Sequence, residues 1–245
     1  MRKKLMLVCM LGLSVLLLSG CAGDLSAAII GEKAMAKNST TETEEISTQT
    51  TPLQVACVGD SNTEGFDENN YPAILAELLG EDYVVTNYGA SGTTAMHGIG
   101  ASYDEKEVYS QSLAGNPDIV VIMFGTNDSA AWKDKATFAA DYEMLISTYK
   151  ALESEPLIFL CTPPAPHREK ASADSVSKVR PEVYGDINEV IKDAATLHSL
   201  PLVDIYDLTK DNSEWYIGDG IHLNEYGSRL VAKTIAHAIE KEIDV

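Results

Sequence analysis

The sequence predicts an α/β domain in which helices cover both faces of a parallel β-sheet. Three observations support this prediction. Short apolar runs alternate with longer segments whose apolar residues recur at helical spacing, over about 190 residues. The run at residues 118–124 is apolar throughout, which is typical of a central strand covered on both faces. Polar, glycine-containing loops follow the apolar runs, as in sheets that place their ligand-binding loops at one edge.

The predicted strands and helices alternate in chain order. The strands are predicted at residues 53–58, 83–87, 118–124, 156–161 and 202–205. The helices are predicted at residues 71–79, 104–113, 138–152, 187–194 and 226–239. Pro72 near the start of the first helix and Gly80 after its end stand where these residues are common. The folded domain is therefore predicted at residues 53–245.

The first 20 residues are predicted to be a signal peptide that is not part of the fold. Three basic residues precede an apolar run at residues 5–18, which is short for a membrane-spanning helix. The run ends in Leu18-Ser19-Gly20-Cys21, which resembles the lipobox of bacterial lipoproteins. This resemblance implies cleavage before Cys21, lipidation of its thiol and an extracytoplasmic location at the bacterial cell surface. The alternative is an ordinary signal peptide followed by a chance cysteine.

Residues 21–52 are predicted to form a flexible tether after the lipidated Cys21, because this stretch is rich in Ser, Thr and Glu and can bury little apolar surface. The net charge of −19 argues against electrostatic binding to nucleic acid or anionic lipid. The lipid anchor is therefore the only membrane contact expected.

Cys57 and Cys161 lie in apolar runs without metal-ligand spacing, so both are predicted to be packing residues and no metal site is expected.

Ser61 is the candidate nucleophile. Gly59 ends the first predicted strand, and Ser61 follows at the carboxyl edge of the sheet, where α/β proteins bind ligands. A serine hydroxyl is a weak nucleophile near neutral pH and needs a base within hydrogen-bond reach. A serine in this place is by itself more often a turn or cap residue, so the assignment depends on partners from other loops.

The loops after the other predicted strands contain those partners. His222 can act as the base, and Asp219, three residues earlier, can orient its imidazole. The tetrahedral intermediate needs hydrogen-bond donors, which we expect from the amides of Ser61 and Gly89 and from the side chain of Asn127. Because parallel strands end at one edge of a sheet, these loops can converge on Ser61.

Four sequence blocks carry a family resemblance. The blocks are Gly59-Asp60-Ser61, the loop that contains Gly89, Gly125-Thr126-Asn127-Asp128, and Asp219-Gly220-Ile221-His222. They resemble, in the same order, the signature blocks of the SGNH (GDSL) hydrolases, and the resemblance covers residues 53–241. It implies a catalytic triad, the three oxyanion donors named above and no cofactor. It also implies a flavodoxin-like three-layer α/β/α sandwich with strand order 2-1-3-4-5, in which the strands of Cys57 and Cys161 are not adjacent.

Three further residues are candidates for substrate contact. Trp132 follows the Asn127 block and could form an apolar or sugar-stacking wall, or could pack in the core. His167 and Arg168 lie in the long loop after the fourth predicted strand and could contact a polar or anionic substrate, or could be solvated surface residues. This loop, at residues 163–180, could also form a lid.

The predicted reaction is the hydrolysis of small acyl esters, with an acyl-enzyme at Ser61. The chain resembles extracellular, lipoprotein-type carbohydrate acetylesterases, including members of the sialate O-acetylesterase type, which implies an acetylated glycan as substrate. Three alternatives remain open, namely a lysophospholipase or thioesterase, a cell-envelope O-acetyltransferase, and a glycan-binding lipoprotein without turnover.

Overall fold

The computed structural model of the chain describes residues 51–66, 70–170 and 178–243. The predicted signal peptide, the lipidation at Cys21 and the tether up to residue 50 lie outside the described residues. Among the helices that are described, none is long and apolar enough to cross a membrane.

Helices separate the five strands of the main sheet along the chain. The strands are β1 (Leu53–Gly59), β2 (Tyr83–Gly89), β3 (Thr93–Thr94), β4 (Ala101–Ser102), β5 (Ile119–Met123), β6 (Leu157–Cys161) and β7 (Leu202–Val203). The helices are α1 (Ser61–Glu64), α2 (Tyr71–Leu79), α3 (Glu107–Ala114), α4 (Thr126–Ala130), α5 (Lys135–Lys150), α6 (Tyr184–His198), α7 (Ile205–Thr209) and α8 (Glu225–Ile243). This alternation produces the fold class that the sequence predicts.

Five strands form one parallel sheet in the order β2-β1-β5-β6-β7. Counted along the chain, these five strands have the predicted order 2-1-3-4-5, which is confirmed. The central strand β5 is buried at every position. It lies between β1 and β6, so Cys57 and Cys161 are not on adjacent strands, and both are buried free thiols.

Hydrophobic cores lie on both faces of the sheet. Successive side chains of a strand point to opposite faces, so Val55 and Cys57 pack with α2 and α8, whereas Ala56 and Val58 pack with α5 and α6. The predicted three-layer α/β/α arrangement is therefore confirmed.

Most element ends shift by a few residues from the prediction, and two of the differences have a clear local cause or change the type of element. The last strand, predicted at residues 202–205, ends at Val203 because the side chain of Asp204 accepts a hydrogen bond from the Asp207 N–H and caps α7. The helix predicted at residues 104–113 is a 3₁₀ turn at Tyr103–Glu105 followed by α3. Neither difference moves the loops at the carboxyl edge of the sheet.

Candidate active site

Ser61, His222 and Asp219 form a continuous hydrogen-bonded series. The Ser61 Oγ lies 2.8 Å from the His222 Nε2, although the two residues are 161 positions apart in the chain. The His222 Nδ1 lies 2.5 Å from the Asp219 Oδ2. The structure thus brings together the three side chains predicted as nucleophile, base and orienting acid, in the geometry that the chemistry needs.

A tight turn places Ser61 at the end of the sheet. β1 ends at Gly59, and Asp60 caps α1 by accepting a 2.9 Å hydrogen bond from the Asn62 N–H. A Cβ atom at Gly59 would lie 2.0 Å from the Thr63 Oγ1 and 2.6 Å from the Met123 carbonyl oxygen. Only glycine fits there, so the sequence Gly-Asp-Ser is needed for α1 to begin directly beside β5.

Asp219 fixes the orientation of the His222 ring. Its Oδ1 accepts hydrogen bonds from the backbone N–H groups of Ile221 and His222, at 2.9 and 3.0 Å. Partial burial raises the pKa of Asp219, but the hydrogen bonds from the His222 ring and from these amides outweigh burial and hold the pKa below its ordinary value. An ionised carboxylate only accepts hydrogen bonds, so the His222 Nδ1 carries a proton and the Nε2 is left to accept one from Ser61.

Gly89 does not supply an oxyanion donor, and this prediction is wrong. Its N–H already donates a 2.9 Å hydrogen bond to the Asn87 Oδ1. A Cβ atom at Gly89 would lie 2.1 Å from the Glu64 nitrogen, so the glycine is required for the end of β2 to pack against α1. Gly89 therefore has a packing role.

Gly92, three residues further along the same loop, is a better candidate than Gly89 for the donor role. Its φ angle is +76°, and it lines a cavity of about 810 Å³ together with Asn127. Within the described residues, the N–H groups of Gly92 and Ser61 have no hydrogen-bond acceptor. The Asn127 Nδ2 donates one hydrogen to the Thr93 carbonyl at 3.0 Å, which orients the amide and leaves its second hydrogen for a ligand.

Comparison with known proteins identifies the family. The model of the GDSL-like lipase/acylhydrolase family matches residues 57–230, which include all the residues of this site. The chain belongs to this family. The resemblance to SGNH (GDSL) hydrolases is thereby confirmed, and so is the predicted class of ester hydrolase at the level of the family.

Individual relatives of this GDSL-family chain include carbohydrate esterases. An acetylxylan esterase from Xylanibacter ruminicola is 32% identical over 213 residues, covering 77% of this chain and 43% of the relative. The chain thus spans less than half the length of that relative. A solved lipase/acylhydrolase from Enterococcus faecalis is 25% identical, with a TM-score of 0.62 over 78% of this chain and 96% of the other. A carbohydrate acetylesterase family member from Sinorhizobium meliloti shares the fold, with 20% identity and a TM-score of 0.64 over 79% of this chain and all of the other.

Asn62 joins the nucleophile helix to the histidine loop of this GDSL-family site. The family name spells Gly-Asp-Ser-Leu, whereas this chain has asparagine at the fourth position. The Asn62 Oδ1 accepts from the Leu223 N–H at 3.1 Å, and its Nδ2 donates to the Ile221 carbonyl at 3.3 Å. Asn62 therefore holds the backbone on both sides of His222. In the sequence, Asn62 reads only as a turn or capping residue, and its polar side chain directly after Ser61 is the available signal of a further role.

Glu64 joins the same helix to the loop that contains Gly92. Its Oε2 accepts a 2.7 Å hydrogen bond from the Ser91 N–H and another from the Ser91 hydroxyl. The Asn87 Nδ2 donates to the carbonyls of Thr63 and Glu64, at 3.0 and 3.1 Å, and strengthens this attachment. Glu64 is thus a positioning residue for the Gly92 N–H.

Replacing Glu64 with alanine is expected to lower kcat about tenfold with little change in KM, because the loss of hydrogen bonds to a charged group lets the Gly92 loop move. Steady-state kinetics on an acetyl ester measures the effect. Glu64→Gln keeps an accepting oxygen and should recover part of the activity, and Glu77→Ala, on the exposed side of α2, is the control. An unchanged kcat in Glu64→Ala would contradict the positioning role.

The other predicted contact residues pack within the protein or have side chains outside the described part. The half-buried Trp132 packs against Phe138, with ring centroids 5.8 Å apart, as in the core alternative. The His167 ring is buried, with Nδ1 2.8 Å from the Glu169 Oε1 and Nε2 2.9 Å from the Thr209 carbonyl. The side chain of Arg168 is outside the described part, as are residues 171–177 of the loop considered as a lid.

His167 is buried against the catalytic loop, so it is not the solvated surface residue that was the alternative to substrate contact. Both of its ring nitrogens are engaged within the protein, and its backbone N–H donates to the Gly220 carbonyl at 2.8 Å. A Cβ atom at Gly220 would lie 2.1 Å from the His167 carbonyl oxygen, and the φ angle of Gly220 is +66°. The backbone of His167 can therefore approach the catalytic loop this closely only if residue 220 is glycine.

Phe66 is an aromatic contact that the sequence analysis missed. Its ring meets the His222 ring edge-on, with centroids 4.7 Å apart, and 65% of the residue is exposed. Together with Ile217 and Leu223 it lines a cavity of about 240 Å³ on the histidine side of the site. A larger groove of about 1100 Å³ lies between α5 and α6, but it contains none of these residues.

Two buried carboxyl groups lie behind the nucleophile helix. Burial raises the pKa of Asp60 to about 7; the Asn62 N–H offsets part of this effect and the neighbouring Asp128 adds to it. Burial likewise raises the pKa of Asp128 to about 6, against the hydrogen bond from the Met96 N–H. The folded state therefore keeps protons that the unfolded chain gives up at lower pH, so these groups make the protein less stable as the pH rises from about 4 to about 7.

Asp60→Asn is expected to raise the melting temperature, by more at pH 8 than at pH 5. Asparagine can still accept from the Asn62 N–H, but it has no charge to bury. The raised pKa corresponds to at most about 4 kcal/mol at pH 8, and each kcal/mol changes the melting temperature by about 2–4 °C in a domain of this size. Thermal unfolding at both pH values measures the difference. An equal gain at the two pH values would contradict the assignment.

Proposed function

We propose that this protein is an extracytoplasmic serine esterase that removes small acyl groups, in particular acetyl, from carbohydrate. The observation that carries the proposal is the hydrogen-bonded series from Ser61 through His222 to Asp219, beside unused hydrogen-bond donors. This arrangement fits acyl transfer through a tetrahedral intermediate.

The proposed reaction has two halves. The Ser61 Oγ attacks the ester carbonyl carbon while its proton passes to the His222 Nε2, and the negative oxygen is bound by the N–H groups of Ser61 and Gly92 and by the Asn127 amide. The alcohol then leaves with the proton from His222. Water attacks the acyl-enzyme with His222 as base, and the acid departs as the Ser61 hydroxyl is restored.

An acetylated carbohydrate is the substrate class that the surroundings favour. The cavity beside Asn127 is lined by Thr94, Ala101 and two basic side chains, which suit a hydroxyl-rich molecule better than a long aliphatic chain. The exposed Phe66 adds an aromatic surface on the other side, suited to stacking on a sugar ring. The acetylxylan esterase relative supports acetyl as the acyl group.

The proposed location depends on the first 52 residues. Cleavage before Cys21 and lipidation of its thiol would attach the domain to the membrane through the tether at residues 21–52. Metabolic labelling with a fatty-acid probe tests this proposal. Label on the wild type that disappears in Cys21→Ala would support it, whereas an unlabelled wild type would contradict it.

A series of p-nitrophenyl esters from acetyl to long acyl chains, together with acetylated xylan, tests the proposed activity. A sharp preference for acetyl and release of acetate from xylan are expected. Activity that rises with chain length would favour a lysophospholipase or thioesterase. Transfer of acetyl to an added sugar in place of water would favour an acetyltransferase, and no turnover of any ester would favour a binding protein.

A further inference from the structure

We propose that the cavity beside Asn127 is a subsite for an anionic group, so that the preferred ester carries a carboxylate near its carbonyl carbon. This inference rests on the proposed esterase function and narrows its substrate class to acidic esters, such as acetylated glycans that contain uronic acids.

The charges that line this cavity are the first observation. Its lining residues are Gly92, Thr94, Gly100, Ala101, Asn127, Ala130, Ala131, Lys178 and Arg180. Both charged residues in this set are cations, whereas the whole chain has 37 acidic and 18 basic residues. A protein with a net charge of −19 repels an anionic substrate at long range, so a local pair of cations is the feature that would allow such a substrate to bind.

The hydrogen bonds and ion pairs of the two cations are the second observation. The Arg180 Nε donates to the Ser129 carbonyl at 3.0 Å, and its Nη2 donates to the Trp132 carbonyl. Neutral carbonyls fix the guanidinium in place without cancelling its charge. Among the ion pairs of the described residues, none involves Lys178 or Arg180. The charge of Arg180 is thus held in position before a ligand arrives.

The position of the cavity connects it to the reaction. Gly92 and Asn127, the proposed oxyanion donors, belong to the same lining as the two cations. A molecule whose carbonyl oxygen lies at these donors can therefore extend its neighbouring groups toward Lys178 and Arg180. A carboxylate there would form charge-assisted hydrogen bonds, which are stronger than those between neutral groups.

Matched esters with and without a carboxylate test the inference. The first pair, 4-acetoxybenzoate and 4-acetoxybenzamide, places the charge on the alcohol side. The second pair, the monosuccinate and butyrate esters of 4-methylumbelliferone, places it on the acyl side. The ratio of kcat/KM, anionic over neutral, is measured for each pair in the wild type, Lys178→Gln, Lys178→Glu and the control Lys233→Gln, whose exposed lysine lies on α8.

In at least one pair, the ratio is expected to fall about three- to fivefold in Lys178→Gln, the size of one partly exposed ion pair, and further in Lys178→Glu. The control should match the wild type, and high salt should reduce the wild-type ratio. Ratios that are the same in all four proteins and do not change with salt would overturn the inference but leave the esterase function intact. If the wild type hydrolyses none of the four esters, both proposals fail.

Discussion

Replacing Ser61 with alanine is expected to lower kcat/KM for an acetyl ester by roughly 10⁴–10⁶, the range found when single members of a catalytic triad are removed, with the nucleophile at its upper end. The Ser61 Oγ lies 2.8 Å from the His222 Nε2 and is the only atom of this residue that can form the acyl-enzyme. Alanine leaves the backbone N–H of residue 61 in place, so the remaining activity would come from oxyanion binding and from water activated by His222.

The fold should survive this substitution, which makes the kinetic result decisive. Ser61 begins a helix that is fixed by Asp60, Asn62 and Glu64, and among the described residues its hydroxyl is hydrogen-bonded only to His222, which Asp219 and Asn62 hold independently. Thermal unfolding should show a melting temperature close to that of the wild type. Ser147→Ala, on the exposed side of α5, is the matched control. A Ser61→Ala protein that keeps more than about a tenth of its activity would exclude Ser61 as the nucleophile.

The four-residue helix α1 organises the site through its side chains as well as through the nucleophile. Asn62 reaches the backbone on both sides of His222, and Glu64 holds the Ser91 backbone beside Gly92. The base and one oxyanion donor are thereby attached to the element that carries Ser61. These hydrogen bonds keep the reacting groups at fixed relative positions. This matters because a small displacement in an active site lowers the reaction rate by a large factor.

The fold could be predicted because its signals are local. Each signal involves residues that are close together in the chain. The signals are the apolar run of β5, the helical spacing of apolar residues in α5, and the glycine and proline residues at the ends of α2. Ser61 directly follows β1, whereas the loop of Asp219 and His222 comes after β7, α7 and a 3₁₀ turn at Ser213–Trp215. Both loops lie toward the edge of the sheet at which parallel strands end. Convergence of Ser61, Asp219 and His222 thus followed from topology without any knowledge of side-chain contacts.

The errors concern residues whose roles depend on distant partners. Gly89 and Gly92 lie in the same loop, and the choice between them depends on where each N–H points. The Asn87 side chain uses the Gly89 N–H, and the packing of Gly89 on Glu64 becomes visible only when β2 and α1 are placed together. His167 likewise is buried by contacts with the Thr209 carbonyl, 42 residues later in the chain.

Replacing Asn127 with alanine is expected to lower kcat by about 10²–10³, the usual cost of removing one oxyanion donor. The Thr93 carbonyl fixes the orientation of the Asn127 amide at 3.0 Å, so the second N–H is aimed before the substrate arrives. Because the oxygen becomes negative only during the reaction, the loss should fall on kcat, with little effect on KM.

Asn127→Asp separates this role from a packing role. Aspartate has nearly the same size but cannot donate in its ionised form, and its negative charge would repel the oxyanion, so its activity should be no higher than that of Asn127→Ala. Asn212→Ala removes a similar amide, one that donates to the Leu208 carbonyl away from the triad, and should leave the kinetics unchanged. A loss below threefold in Asn127→Ala, or full activity in Asn127→Asp, would mean that the N–H groups of Ser61 and Gly92 stabilise the intermediate without help from this side chain.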